Sequence, residues 1–218
     1  MLSAISDTQY QQYFNALLQG DGAQCKTIVQ SLLSQEIHFL DLYEQLFRRS
    51  LYETGELWAK GLISVADEHI ATAITENLIS QLQPTLRGFN KSRGRVVISN
   101  VTSDLHQIGG KMVANYFEVM GWETYFLGAN MPLTDLLGAI DRLIPDVICL
   151  SLSLIEHVKI LEVTIREIQS THPKTPIIAG GRAFLNSDPG YHNLGHIQNV
   201  HILQSVIQLE QFISSFEL

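Results

Sequence analysis

A histidine placed two residues after an acid and three before a glycine is built to offer one ring nitrogen to a metal. Asp104-Leu105-His106-Gln107-Ile108-Gly109 has this spacing. The carboxylate of Asp104 would hold one imidazole N–H, fix the tautomer and leave the other nitrogen as the ligand. Gly109 would let a bulky group approach the backbone closely. Two further sets carry chemistry. Ser151-Leu152-Ser153 and Gly180-Gly181 each close an apolar run, one offering hydroxyls and the other bare backbone. Trp58, Glu68 and His69 combine an aromatic face with a carboxylate and an imidazole. Asp104, His106 and a serine could also suggest a hydrolytic triad, but no nucleophile-elbow sequence accompanies them. Gly109-Gly110 lacks the rest of a dinucleotide-binding glycine pattern.

The elements that must position these residues change period along the chain. Up to about residue 82 the apolar spacing is helical. It predicts helices over Asp7 to Leu18, Gly22 to Leu33, Ile37 to Lys60 and Ser64 to Leu82. Gly61 stops the third. Ser64-Val65-Ala66-Asp67 forms a capping box that starts the fourth at about Val65. Four helices on short loops predict a bundle over residues 1–83. Residues 84–94, with Pro84, Gly88 and Gly94, read as a linker, and the basic run Arg87 to Arg95 as its solvated surface.

From residue 95 to 218 short apolar strands alternate with amphipathic helices. Strands are expected at Arg95 to Val101, Thr124 to Leu127, Val147 to Ser151, Pro176 to Ala179 and Val200 to Leu203. Helices are expected at Gln107 to Met120, Leu133 to Leu143, Glu156 to Ser170 and Ser205 to Phe216. This alternation predicts an α/β domain with a doubly wound parallel sheet, for which we take the flavodoxin-like strand order. Parallel strands all end on one edge, so His106, the two serines and the two glycines would share it, where such folds bind ligands.

Composition narrows the function. The chain has 218 residues, 45% of them hydrophobic, which is enough for one large domain or two small ones, each with its own core. A net charge of −8 argues against a broad nucleic-acid surface. The two cysteines, Cys25 and Cys149, lie far apart and fit a reducing cytoplasm. No signal pattern and no apolar run near about 18 residues suggests a membrane segment.

The Asp-x-His-x-x-Gly turn, the Ser-Leu-Ser strand end and the Gly-Gly strand end together resemble the cobalamin-binding domain family, over about Arg95 to Leu218. The resemblance implies that His106 ligates cobalt in place of the cofactor's own base, with Asp104 behind it. It implies that Ser151 and Ser153 bond the displaced nucleotide tail and that Gly109, Gly180 and Gly181 make room for it. The family often has Ser-x-Leu or Ser-x-Thr on the third strand, where this chain has Ser-Leu-Ser.

The segment from Glu56 to His69 is similar to the helical cap of the same family. Its Trp-x9-Glu-His form resembles the light-sensing adenosylcobalamin regulators, in which the Trp packs over the adenosyl group and the Glu-His pair contacts it. That resemblance implies an adenosylcobalamin photosensor without catalytic turnover, with output through a partner or a change of oligomer. Two departures stand out. The bundle begins by about residue 7, so no DNA-binding module is expected. Ala59 follows the Trp where those regulators carry a histidine, which puts a bis-histidine photoproduct in doubt. The alternative is a corrinoid carrier subunit of a methyltransferase system, and a third reading is a cobalamin store. A second ligand, such as a tetrapyrrole chromophore, is left open.

Overall fold

The structure is a computed structural model that describes residues 4–86, 93–185 and 189–215. The chain forms two compact units, Met1–Thr85 and Leu86–Leu218. Most of the segment read as a linker, including most of its basic run, lies outside the described residues.

The first unit is helical. Helix α1 is Asp7–Leu18 and opens on a reciprocal capping box between Ser6 and Gln9. Helix α2, Gly22–Ser34, starts where Asp21 accepts the Gln24 N–H at 2.9 Å. Such side-chain acceptors satisfy N–H groups that have no partner inside the helix. The expected third helix is divided. A short α3 (Phe39–Asp41) runs into a π-helical segment, Leu42–Arg48, and then into α4 (Arg49–Ala59). Leu42, Tyr43, Leu46 and Phe47 are all buried from the π segment, and the wider winding turns these neighbouring pairs into the core together. Helix α5 (Val65–Leu86) continues through Pro84, beyond the expected end. Its Ala71, Thr75 and Ile79 are fully buried. The core is completed by Tyr13, Leu17, Cys25 and Leu32.

The second unit is a five-stranded parallel sheet. Its strands are β1 (Arg95–Asn100), β2 (Glu123–Phe126), β3 (Val147–Ser151), β4 (Ile177–Gly180) and β5 (Val200–Leu203). They lie in the order β2-β1-β3-β4-β5, the flavodoxin-like arrangement. The helices are α6 (Ile108–Val119), α7 (Leu133–Leu143), α8 (Val158–Thr171) and α9 (Val206–Ser215). Strands β1 and β3 are buried at nearly every position, as strands covered on both faces are. Leu136 and Ile140 of α7 and Leu161, Ile165 and Ile168 of α8 pack with Val97, Ile148, Leu150 and Ile177 of the sheet. The chain order turns back between β1 and β3, so their carboxyl ends border a crevice. Among the described residues, no helix is long and apolar enough to cross a membrane.

Candidate functional site

Strand β1 delivers the histidine turn to that crevice. Asp104 is completely buried, which is costly for a carboxylate unless hydrogen bonds compensate. Three do. Its Oδ1 accepts the His106 main-chain N–H at 3.0 Å and faces the His106 Nδ1 at 2.9 Å. Its Oδ2 accepts the Ser153 main-chain N–H at 2.5 Å. Burial pushes the Asp104 carboxyl upward, but the bonds from the His106 ring, the Ser153 N–H and the His106 N–H outweigh it and hold the group below the usual carboxylate range. An ionised Asp104 accepts a proton-bearing Nδ1, which leaves Nε2 as the lone-pair nitrogen of a neutral imidazole. The His106 side chain is 57% exposed, so the ring stands out of the protein on a buried anchor.

The sequence suggested Asp104 as the partner of the imidazole. It did not suggest the bond to Ser153, which ties the turn after β1 to the loop after β3. Ser151 and Ser153 are partly exposed, and their hydroxyls have no hydrogen-bond partner among the described residues. A Cβ placed on Gly109 would find nothing nearer than the Ser151 Oγ at 3.9 Å. The start of α6 thus lies beside the end of β3, with the exposed Gly109 next to the Ser151 hydroxyl.

The paired glycines also serve the protein itself. Gly181 has φ +122, and a Cβ there would collide with the Leu152 carbonyl. A Cβ on Gly180 would come to 3.0 Å from the Leu203 carbonyl oxygen. The turn is braced again from the loop after β2. Thr102 Oγ1 donates to the Met131 carbonyl at 2.6 Å, and the Ser103 N–H donates to Asn130 Oδ1 at 3.1 Å. Ser103 and Asn130 both have positive φ, at 71° and 53°. Nothing in residue type or spacing marked Asn130 as part of this edge.

The helical unit holds the second set. Helix α4 ends in a Schellman motif. Gly61, at φ +69, donates to the Trp58 carbonyl at 2.8 Å, and Leu62 donates to the Leu57 carbonyl at 2.9 Å. Ser64 then caps α5 reciprocally with Asp67. The Ser64 N–H donates to Asp67 Oδ2 at 2.8 Å, and the Asp67 N–H to Ser64 Oγ at 3.2 Å. These two motifs fix the turn that separates Trp58 from Glu68 and His69. Glu68 Oε2 accepts from His69 Nδ1 at 2.6 Å, and Glu68 Oε1 from Thr72 Oγ1 at 2.9 Å. The structure therefore joins Glu68 to His69, while Trp58 stands outside their hydrogen bonds. Trp58 is 50% exposed and is flanked by exposed Leu62 and Val65.

Among the described residues, no three His, Cys, Asp or Glu side chains gather as a metal cage. A single outward imidazole suits a metal that arrives already ringed by a macrocycle, and the exposed Gly109 leaves that edge accessible. His106 therefore fits a corrinoid.

Comparisons with known proteins agree. Residues 94–193 match the family model described as the B12 binding domain, and residues 9–83 match a second B12 binding domain model. The chain belongs to the B12-binding proteins, and cobalamin with its cobalt is its cofactor. It is 24% identical to the trimethylamine corrinoid protein of Methanosarcina barkeri, over 62% of this chain and 64% of that one. It is 25% identical to the HTH-type transcriptional repressor CarH of Myxococcus xanthus, over 66% of this chain and 48% of that one. Each alignment thus spans less than two thirds of the curated relative. The monomethylamine corrinoid protein of Methanosarcina barkeri shares the fold, with a TM-score of 0.81 at 13% identity over 96% of this chain and 99% of that one.

Proposed function

We propose that this corrinoid protein is a light-responsive adenosylcobalamin sensor that signals through a separate partner or a change in self-association, without turnover. The observation behind this reading is the α4–α5 turn. It presents a half-exposed Trp58 and a hydrogen-bonded Glu68–His69 pair on a backbone fixed by two capping motifs. A methyl group needs little room and offers no hydrogen bonds. An adenosyl group is large and flat, and an aromatic wall and polar partners suit it. Adenosylcobalamin supplies a Co–C bond that visible light breaks. In this reading His106 would hold the cobalt through Nε2, Asp104 would fix the tautomer that leaves Nε2 its lone pair and aim the ring, and Ser151, Ser153, Gly109, Gly180 and Gly181 would receive the nucleotide tail. Trp58 and the Glu68–His69 pair would register whether an adenosyl group is present, and its loss would shift the population to another arrangement or assembly.

A corrinoid carrier serving a methyltransferase is the second reading. It is favoured by the similarity to a trimethylamine corrinoid protein, and by Ala59 at the position after Trp58.

A dark titration with adenosylcobalamin, followed by green light, separates the two. Absorbance and sedimentation are recorded together. The sensor binds tightly in the dark and changes both spectrum and mass or shape on illumination. A spectral change with no change in mass or shape weakens the sensor reading and moves weight to a carrier or store.

A further inference from the structure

The main chain of His106 is clamped on both sides. Asp104 takes its N–H, and the Asn100 Nδ2 donates to its carbonyl oxygen at 3.0 Å. Asn100 is the last residue of β1 and only 1% exposed. Its register partner in β3 is Ser151, and its own N–H donates to the Gly128 carbonyl on the β2 side at 3.0 Å. It is therefore held in the sheet from both flanks, and its carboxamide reaches out of that frame to the turn above.

The other end of the carboxamide explains Gly110. Asn100 Oδ1 is buried and has no hydrogen-bond partner among the described residues. A Cβ on Gly110 would lie 2.9 Å from that oxygen and 3.0 Å from Phe126 Cε2. With no Cβ, the glycine leaves that room to the oxygen. A buried acceptor left without a hydrogen bond is uncommon and calls for a compensating gain. Here the gain is orientation. Turning the amide over would set Oδ1 against the His106 carbonyl and lose the bond.

We propose that Asn100 is a positioning residue for cobalt ligation, and that position 110 is glycine so that the Asn100 carboxamide can lock the His106 main chain. The proposal rests on the reading of His106 as the cobalt ligand. A ligand nitrogen must hold its place to within about 0.5 Å and 10–20°, and loop residues keep such tolerances only when neighbours fix them. Asp104 sets the tilt of the ring. Asn100 sets the peptide from which the ring hangs, and it does so from the most rigid element of the sheet unit.

The test is a double-mutant cycle read as affinity for adenosylcobalamin in the dark, on the full chain. Asn100→Ala and Asn100→Asp both remove the donor, and Asn100→Asp does so at nearly constant shape. Each should weaken binding about tenfold, the effect of one lost buried hydrogen bond with its unsatisfied partner. The same substitutions in a His106→Ala background should change affinity less than twofold, because no ligand remains to be positioned. Gly110→Ala reaches the lock from α6 and should also cost about tenfold, but less in the Asn100→Ala background, where only the Phe126 ring edge remains in the way. It keeps the test alive if an Asn100 variant fails to fold. Equal losses with and without His106 would make Asn100 a purely structural residue and overturn the proposal. So would unchanged affinity in folded Asn100 variants when His106→Ala itself weakens binding. If His106→Ala alters neither affinity nor the absorption spectrum, the ligand reading falls, and the positioning role falls with it.

Discussion

Asp104 concentrates the electrostatics of the site in one side chain. It is charged, buried and held by three hydrogen-bond contacts to two loops. Its proton affinity is lower in the folded chain than the ordinary carboxylate value of about 3.9. A depressed carboxyl stabilises the fold fully above its unfolded pKa and loses that contribution as the pH falls through the folded one. Asp104→Asn should cost about 2 kcal/mol near pH 7, because the amide offers one acceptor where three donors converge. The difference from wild type should shrink below about pH 4 in urea titrations. An equal difference at pH 3 and pH 7 would remove the ionised carboxylate from the argument. A second residue tests local strain. Ile144 caps α7 at φ 47 and ψ 64 and is 70% exposed. The left-handed region is costly for a β-branched residue, and no buried contact rewards it here. Ile144→Gly should stabilise the protein by about 1 kcal/mol, and a melting curve unchanged or lowered would contradict this.

At the scale of elements, the α4–α5 turn is where function and sequence pattern meet. Gly61 and the Ser64–Asp67 box mark it, and both motifs form. Trp58→Ala leaves them intact and removes only the aromatic face. It should reduce the preference for adenosylcobalamin over methylcobalamin about tenfold, a stacking loss of about 1–1.5 kcal/mol. Competition binding in the dark checks this, and an unaltered preference would take the Trp out of upper-ligand choice. The same region shows what pattern reading misses. Ile37 to Lys60 reads as one helix because apolar spacing alone does not separate i→i+4 from i→i+5 bonding. In the structure Leu42–Arg48 is π-wound. Pro84 reads as a linker residue, yet α5 passes through it, since a proline removes one helical bond and tertiary packing can carry the rest. The strands were easier. β3 and β5 lie where their β-branched residues predicted, and β3, covered on both faces, is a short, nearly unbroken apolar run. Of the groups at the sheet edge, Asp104 and His106 were visible through their spacing. Asn100, Gly110 and Asn130 were not, because their roles come from contacts between segments far apart in the chain.

At the scale of the whole molecule, cofactor and stability are linked. A ligand that binds only the folded chain adds about 2.7 kcal/mol of stability at one hundred times its dissociation constant. For a chain of this length that should raise the melting temperature by roughly 5–10 °C. Adenosylcobalamin in the dark should produce such a shift, and His106→Ala should lower it at the same ligand concentration. An equal shift with and without His106 would mean that cobalt ligation contributes nothing to holding the cofactor. The two cysteines are chemically quiet. Burial in the helical core, with help from the charge of Asp21, pushes the Cys25 thiol up to about 11, and burial pushes Cys149 higher still. Neither is set up as a redox switch.

The strand order has a consequence for how the protein is made. β1 sits in the middle of the sheet, yet both of its neighbours are synthesised after it. At a ribosomal rate of about 5–20 residues per second, the stretch from Asn100 to Ser151 takes on the order of several seconds to emerge. Throughout that interval Val96, Val97 and Ile98 have no complete sheet to enter, and the edge that β3 will cover stays open to other chains. The newborn chain is therefore most vulnerable to aggregation before β3 appears, and helper proteins that shield apolar segments would find their natural substrate there.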